Sequence, residues 1–207
     1  MTRTIVRQVS LVIATLVGIA PAGAHHVMGG ATPATFAQGL LSGLGHPIIG
    51  LDHLAFLLAI GLAIGVGGLS LLMPAIFVGA SAIGLALHVH GVALPATESV
   101  LAGSLLIAGA MLARGARFGS VIWASLFSLA GLFHGYAFGE SIVGAEPTPL
   151  AAYLLGLVMI QILLTTATAL VIRRQGASGI VPASRLVGAA ICGVGVAVLG
   201  GQILPTT

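Results

Sequence analysis

The sequence predicts an all-α membrane protein with six transmembrane helices that follow a cleaved signal peptide. Of its 207 residues, 58% are hydrophobic and only 5% are charged, and the mean hydropathy is +1.19. Soluble domains carry about 25% charged residues, so a surface this apolar must be covered mainly by lipid. We therefore divide the chain into a signal peptide, residues 1–24, and one membrane domain, residues 25–207, whose main partner is the lipid bilayer.

The start of the chain has the three parts of a secretory signal peptide. Arg3 and Arg7 give a positive first part. Residues 11–20 form a short apolar core, and residues 22–24 an Ala-Gly-Ala cleavage site. An uncleaved signal anchor is the alternative. We favour cleavage because the apolar run is too short to span a bilayer comfortably, and because proline and small residues follow it. Cleavage makes His25 the mature N-terminus.

Six apolar segments follow, each near the ~20 residues that a helix needs to cross the hydrocarbon core. We place these spans at about 48–67, 70–90, 97–113, 119–139, 149–172 and 184–204. Residues 36–44 are apolar but too short to cross, and we expect an outer half-helix there. Turn-forming residues separate the spans, and we expect a loop from Gly176 to Pro182 before the last one.

The positions of the arginines predict how the spans are oriented in the membrane. After cleavage, all remaining arginines fall in two predicted loops: Arg114, Arg117, Arg173, Arg174 and Arg185. With six spans both loops lie on the same side, and short arginine-rich loops face the cytoplasm. We therefore predict a multi-pass protein of the bacterial inner membrane, with its mature N-terminus on the outer side. In this topology all seven histidines and all four carboxylates lie on, or just within, the outer side.

Small residues mark one face of the fourth span. Gly131, Gly135 and Gly139 form two overlapping GxxxG patterns. Residues without bulky side chains at this spacing let helix backbones approach closely in lipid. We therefore expect this face to pack against another helix.

Uncharged polar residues mark one face of the fifth span, at Gln161, Thr165 and Thr168. Such a face in lipid usually holds helices together by hydrogen bonds. It could equally form the inner half of an ion path. Ser125 and Ser128, in the fourth span, have the same two interpretations.

The composition also excludes several functions. There is no lysine, and the arginines form no basic patch of the kind that binds nucleic acid. The single Cys192 cannot form an internal disulfide. No phosphate-binding loop of an ATPase occurs. A metal sensor or accessory protein would need a sizeable soluble segment for its partner, and the sequence predicts none.

The strongest functional signal is the stretch Gly45 to His53, GHPIIGLDH, at the outer start of the first span. Ionisable groups are costly in a membrane, so His46, Asp52 and His53 point to a function. His46 and His53 are seven residues apart and lie on nearly the same face of a helix. Pro47 suits the first position of that helix, which would put His46 at its cap. Asp52 either binds metal or orients His53. The alternative is a capped helix start with buried, hydrogen-bonded histidines.

A second cluster lies at the outer end of the fourth span. His134 is inside the span and Glu140 is at its end. They lie about 120° apart on a helix, so they face each other only if the helix ends near Gly139. They form either a ligand pair or a proton relay coupled to ion movement. The alternative is a surface glutamate and a histidine bonded to a neighbouring helix.

Two further histidine pairs are candidate ligands for which a functional and an incidental role weigh evenly. His88 and His90 point apart on a helix, but would point together if the second span ended before Gly91 in an extended turn. His25 and His26 could scavenge ions at the mature N-terminus, or belong to a tail in which histidine is incidental.

Imidazole and carboxylate ligands together suit divalent Ni, Co, Zn and Cu ions. Soft Cu(I) would prefer sulfur, and only Met28 offers one near these residues. Calcium and magnesium would want mostly oxygen ligands. The residues therefore predict a transition-metal ion as cargo, and we expect no prosthetic group.

Two motifs resemble those of the HupE/UreJ family of nickel/cobalt permeases: HPIIGLDH, residues 46–53, and FHGYAFGE, residues 133–140. The family motifs are similar to HPxxGxDH and FHGxAxGE, and every fixed position is matched. The resemblance also covers the cleaved signal, the histidine after it and the six spans. It implies uptake of Ni or Co, often to supply hydrogenase or urease. It also implies a set of required residues: His46, Asp52, His53, His134 and Glu140.

We therefore predict a transporter, and not an enzyme, that takes up a divalent ion: Ni²⁺ or Co²⁺, with Zn²⁺ as a third candidate. The ion would meet the outer histidines, lose part of its water, and bind transiently at the two clusters before release inward. The alternative is an intramembrane hydrolase, in which bound Zn²⁺ activates water and Glu140 acts as the base.

Overall fold

The structure is a computed structural model that describes residues 31–115, 117–174 and 177–203. All regular structure in these residues is α-helical. The helices are α1 (Phe36–Ile49), α2 (Leu51–Gly67), α3 (Pro74–Val89), α4 (Thr97–Arg114), α5 (Ser120–Gly139), α6 (Pro147–Arg174) and α7 (Ala177–Ile203). The all-α prediction is confirmed for this part of the chain. The predicted signal peptide, His25 and His26 lie outside the described residues.

Four helices are long and apolar enough to cross a membrane: α4, α5, α6 and the Ala183–Gln202 part of α7. A fifth span results if α1 and α2 form one, since the pair passes the same test although it is bent by 78°. Helix α3 is apolar but has only 16 residues. The apolar helices indicate a multi-pass membrane protein, and each of the six predicted spans corresponds to a helix.

Two predicted boundaries are wrong, and both involve proline. We expected Pro47 at the first position of a helix, but it lies inside α1, which continues to Ile49. We expected a loop from Gly176 to Pro182, but α7 begins at Ala177 and passes through the proline. Proline removes one helical hydrogen bond, so a helix that continues through it depends more on packing against its neighbours.

Glycines bring the helices of the bundle close together, and the predicted glycine face of α5 is confirmed. A Cβ on Gly131 would lie 2.6 Å from the Phe77 carbonyl oxygen of α3, and one on Gly135 would collide with the Ser81 carbonyl. Gly139 faces the same helix. Residue numbers increase in the same direction along both contacts, so α3 and α5 run parallel.

Helix α6 supports both α1 and α2. A Cβ on Gly39 or Gly43 of α1 would collide with the backbone of α6 near its start. Further along α6, Thr168 lies where a Cβ on Gly61 of α2 would be. Both halves of the bent pair therefore pack against the same long helix.

Arginine side chains bind helix ends together at one end of the bundle. Arg173, near the end of α6, donates a hydrogen bond to the Leu69 carbonyl just after α2. Arg185, near the start of α7, donates to the carbonyl oxygens of Ala113 and Arg114, at 3.1 and 3.2 Å. The end of α2 therefore lies beside the end of α6, and the end of α4 lies beside the first third of α7.

Candidate metal site at a helix break

The site is centred on the junction between α1 and α2. Helix α1 ends at Ile49, α2 begins at Leu51, and the axis turns by 78° at Gly50. His46 lies in the last turn of α1 and His53 in the first turn of α2. We refer to these two side chains as the break histidines. The expectation that His46 caps the helix of His53 is therefore wrong, because the chain is helical on both sides of the break.

Space, rather than backbone conformation, requires glycine at position 50. Its φ of −71° and ψ of 103° are accessible to other residues. A Cβ there would lie 2.7 Å from Cδ2 of His53 and 3.2 Å from Oδ1 of Asp52, and real Cβ atoms essentially never approach another atom within 3.0 Å. The imidazole of His53 thus lies in the space that a side chain on Gly50 would fill.

The break histidines are buried and close to one another. Their exposed fractions are 3% for His46 and 4% for His53, and their ring centroids lie 5.6 Å apart. The ring of Phe138, on α5, contacts both, with centroid distances of 5.2 Å to His46 and 4.2 Å to His53. The ring of Phe138 therefore packs against a side chain from each of the two half-helices.

His53 belongs to a hydrogen-bonded chain that crosses three helices. Its Nδ1 lies 2.8 Å from Nδ1 of His134 on α5, and Nε2 of His134 lies 3.1 Å from the Ser104 hydroxyl on α4. Ser104 donates to the Leu101 carbonyl oxygen at 2.7 Å. If the Ser104 proton is assigned to this shorter contact, Ser104 accepts from His134 Nε2–H, and His134 Nδ1 accepts from His53 Nδ1–H. In this assignment His53 keeps its lone pair on Nε2.

His46 has its own set of hydroxyl partners. Its Nδ1 lies 3.0 Å from the Ser141 hydroxyl and 3.0 Å from the Tyr153 hydroxyl. Tyr153, on α6, donates to the Phe138 carbonyl oxygen at 2.8 Å, and Ser141 donates to the Tyr153 oxygen at 3.1 Å. The last turn of α1 is thereby bonded to both α5 and α6.

Aromatic rings pack against His134. The ring centroid of Phe56 lies 4.7 Å from that of His134, and the centroid of Phe77 lies 5.9 Å from it. The two phenylalanines contact each other at 5.5 Å and are fully buried. Their rings place apolar surface directly against His134.

The break also brings two helix ends to the site. A helix carries partial negative charge at its C-terminus and partial positive charge at its N-terminus. His46 lies in the last turn of α1, where a cation is favoured, and Asp52 lies in the first turn of α2, where a carboxylate is favoured. The arrangement is therefore electrostatically suited to a cation held between imidazole and carboxylate.

Three other predicted site residues, Glu140, His88 and His90, have different surroundings. Glu140 is exposed and caps the C-terminus of α5, which ends at Gly139, whereas His134 is fully buried. His88 donates through Nδ1 to the Tyr136 carbonyl at 2.7 Å, and His90, which is exposed, bonds the Ala86 carbonyl of its own helix at 2.7 Å. The two rings thus bind different carbonyls.

Over the part of the chain that the structure describes, no three His, Cys, Asp or Glu side chains converge closely enough to hold a metal ion. The break histidines bond to His134 and to hydroxyl groups instead. The histidines are thus in hydrogen-bonded positions, one of the two states that the sequence left open.

The polar face of α6 bonds both to a neighbouring helix and to its own backbone. Gln161 is buried and donates to the Ser81 hydroxyl of α3 at 3.2 Å, while Thr165 donates to the Gln161 carbonyl of its own helix at 2.7 Å. Ser125 and Ser128 are exposed on α5, so they line no interior path in this structure.

Sequence reasoning missed the hydroxyl partners. Ser104 carried no sequence signal, since serine is common in apolar helices. Tyr153 carried one, because a tyrosine inside a membrane span needs a partner for its O–H. Which partner it finds depends on packing between helices far apart in sequence.

Comparison with known proteins supports the resemblance seen in the two motifs. The family model described as HupE / UreJ protein matches residues 13–198. This chain belongs to the HupE/UreJ family. It is also similar to "Protein HupE" of Rhizobium leguminosarum bv. viciae, with 31% identity over 197 residues, which covers 93% of this chain and 98% of the relative. No solved structure matches the chain significantly.

Proposed function

We propose that the protein carries a divalent transition-metal ion, Ni²⁺ or Co²⁺, across the bacterial inner membrane from the outer side, and that it has no enzymatic activity. The observation that carries the proposal is the pair of buried histidines on the two sides of a helix break, in a chain of the HupE/UreJ family. Broken helices at membrane depth are a recurrent way to build ion sites in transporters.

The chemistry of the break supports a borderline cation as cargo. Imidazole nitrogen and carboxylate oxygen suit Ni, Co and Zn, whereas hard cations favour oxygen alone. The end of α1 attracts positive charge, and Asp52 supplies a negative one. We propose that His46, Asp52 and His53 take the ion first, and that His134 binds it second.

The contact between His53 and His134 supports this order. Metal–imidazole bonds are about 2.0–2.1 Å long, so two such ligands at right or tetrahedral angles lie roughly 2.9–3.4 Å apart. The two Nδ1 atoms are 2.8 Å apart and share a proton. An ion held by both nitrogens would take the place of this proton, which can move to Nε2 of His53, and the pair would open as the ion moves inward.

Release would then proceed past uncharged groups. Phe56 and Phe77 pack against His134, and the Gln161–Ser81 pair lies between α6 and α3. None of these groups holds a divalent cation tightly. Sites that bind weakly and in sequence let an ion leave as well as enter.

The wider assignments follow from the same reasoning. The arginines gathered at one end of the bundle support a cytoplasmic position for that end. The family resemblance supports a functional link to a nickel enzyme, hydrogenase or urease. His88, His90 and Glu140 remain candidate ligands nearer the surface. Neither the family nor the curated relative points to a hydrolase.

The test is uptake of radioactive nickel into vesicles that contain the purified protein, with cobalt and zinc as competitors. The double variant His46→Ala, His53→Ala should lose uptake. Ser128→Ala is the matched control, because Ser128 is exposed on α5 away from the break. Uptake that survives in the double variant at the control's level would refute the proposal.

A further inference from the structure

The hydroxyl group of Tyr153 occupies an unusual position for a membrane-spanning helix. The side chain is fully buried, and its oxygen meets three polar groups: Nδ1 of His46, the Ser141 hydroxyl and the Phe138 carbonyl. A buried hydroxyl away from water must be hydrogen-bonded to avoid a large desolvation cost. Here its partners include a break histidine.

The placement of two hydroxyl protons decides the tautomer of that histidine. Tyr153 and Ser141 each have one hydroxyl proton, and the Phe138 carbonyl has none to give. The Tyr153 proton is assigned to that carbonyl, at 2.8 Å. Ser141 Oγ lies 3.1 Å from the Tyr153 oxygen, 3.3 Å from the same carbonyl and 3.0 Å from His46 Nδ1, and we assign its proton to one of the two oxygens. Both contacts of His46 Nδ1, at 3.0 Å, then need a proton on the ring nitrogen. With Nδ1 protonated, the lone pair of the neutral ring is on Nε2.

Tyr153 also holds the helix that carries His46. A Cβ on Gly43 would collide with the Tyr153 backbone carbonyl, so α1 contacts α6 one turn before His46. Tyr153 therefore fixes the backbone of the last turn of α1 through packing. Its hydroxyl fixes the orientation of the His46 ring.

We propose that Tyr153 and Ser141 are positioning residues for metal uptake. They keep His46 protonated on Nδ1 and thereby present Nε2 as the atom that binds the ion. This rests on the proposed function, in which His46 is a ligand. Partners that orient a metal-binding histidine typically contribute 10- to 100-fold to metal affinity or activity.

The experiment compares Tyr153→Phe, Ser141→Ala and the double variant. Phenylalanine keeps the buried ring of Tyr153 and removes only its hydroxyl. Tyr136→Phe is the matched control, because it removes the same group from the only other tyrosine of the chain, which stacks on His88 at 4.3 Å. Each protein is labelled with ¹⁵N-histidine and reconstituted in vesicles.

The first readout is the tautomer of His46, assigned from its ¹⁵N shifts in metal-free protein. We expect Nδ1–H in the wild type and the control, and a mixture of tautomers in the double variant. The second readout is nickel uptake. The half-saturating concentration should rise about 10-fold in each single variant and up to about 100-fold in the double variant, with a smaller change in maximal rate.

Two results would overturn the proposal: an Nε2–H tautomer in the wild type, or a double variant whose tautomer and half-saturating nickel concentration both match the control. A role in folding alone would lower the amount of active protein and the maximal rate without changing the tautomer. Absence of uptake by the wild type, with the Nδ1–H tautomer intact, would instead refute the proposed function.

Discussion

Replacing Gly50 by alanine should disable uptake without unfolding the protein. The new Cβ would lie 2.7 Å from Cδ2 of His53, whereas carbon atoms in contact are normally about 3.5–4.0 Å apart. The imidazole must therefore move by roughly 1 Å. Misplacing a reacting group by this distance can cost about 100-fold in rate. We expect nickel uptake to fall by about that factor.

The fold should tolerate the change because alanine can adopt the backbone angles of Gly50. Overpacking costs about 1–3 kcal/mol, and the loss of glycine's freedom in the unfolded chain returns about 0.4–1 kcal/mol. Thermal unfolding in detergent should therefore shift only modestly. Gly79→Ala is the control, since nothing lies within 4 Å of a Cβ at this helical position, and it should leave uptake unchanged.

The measurement is the initial rate of radioactive nickel uptake at equal amounts of folded protein in the vesicles. If Gly50→Ala takes up nickel at the wild-type rate, then uptake does not depend on the observed position of the His53 ring, and the reasoning is refuted. A protein that fails to fold, while Gly79→Ala folds, would show that the break is needed for stability and not specifically for the site.

Three further predictions test other parts of the structure. Ser104→Ala should leave Nε2 of His134 without its hydroxyl partner and destabilise the protein by about 1–3 kcal/mol, and Ser104→Thr should restore the stability. Thermal unfolding measures both variants, and equal stability of the two would contradict this prediction. Gly135→Ala should destabilise the protein by about 1–3 kcal/mol or more, because its Cβ collides with the backbone of α3. A stability equal to that of the wild type would show that α3 and α5 can move apart without cost. In a cysteine-free background, an impermeant maleimide added to intact cells should label Glu146→Cys but not Arg117→Cys, which are both exposed; the opposite pattern would invert the topology.

The helices were largely predictable because hydrophobic length is a strong signal in a membrane protein. Residues 119–139 were predicted as a span, and α5 runs from Ser120 to Gly139. The glycine face of that helix was predictable for the same reason, since close approach in lipid needs small residues at fixed spacing. These features depend on local sequence alone.

The sequence predicted a half-helix before the first span, but proline gave a misleading signal for the position of the break between them. Proline is common at helix starts, so Pro47 placed the first residue of the helix four positions before the actual one, Leu51. The role of Gly50 depends on the ring of His53 beside it. It could be seen only once both half-helices were placed along α6.

The histidines were identified from sequence, but their partners were not. His53 and His134 are 81 residues apart and meet because α2 and α5 pack in one bundle. The Tyr153 hydroxyl is likewise 107 residues from His46. The free-energy cost of placing a polar residue in lipid marks that residue as important from sequence alone. Tertiary packing decides which groups it bonds.

The hydrogen-bonded chain from His53 has a consequence for a cell that lives on its proton gradient. A series of imidazoles and hydroxyls can pass protons along, and a continuous one across the membrane would dissipate that gradient. This chain runs from His53 through His134 to Ser104 and ends at the Leu101 carbonyl oxygen. A carbonyl accepts a hydrogen bond but has no proton to hand on. A proton that enters this chain at His53 therefore stops at Ser104, so this path does not carry protons through the part of the protein that the structure describes.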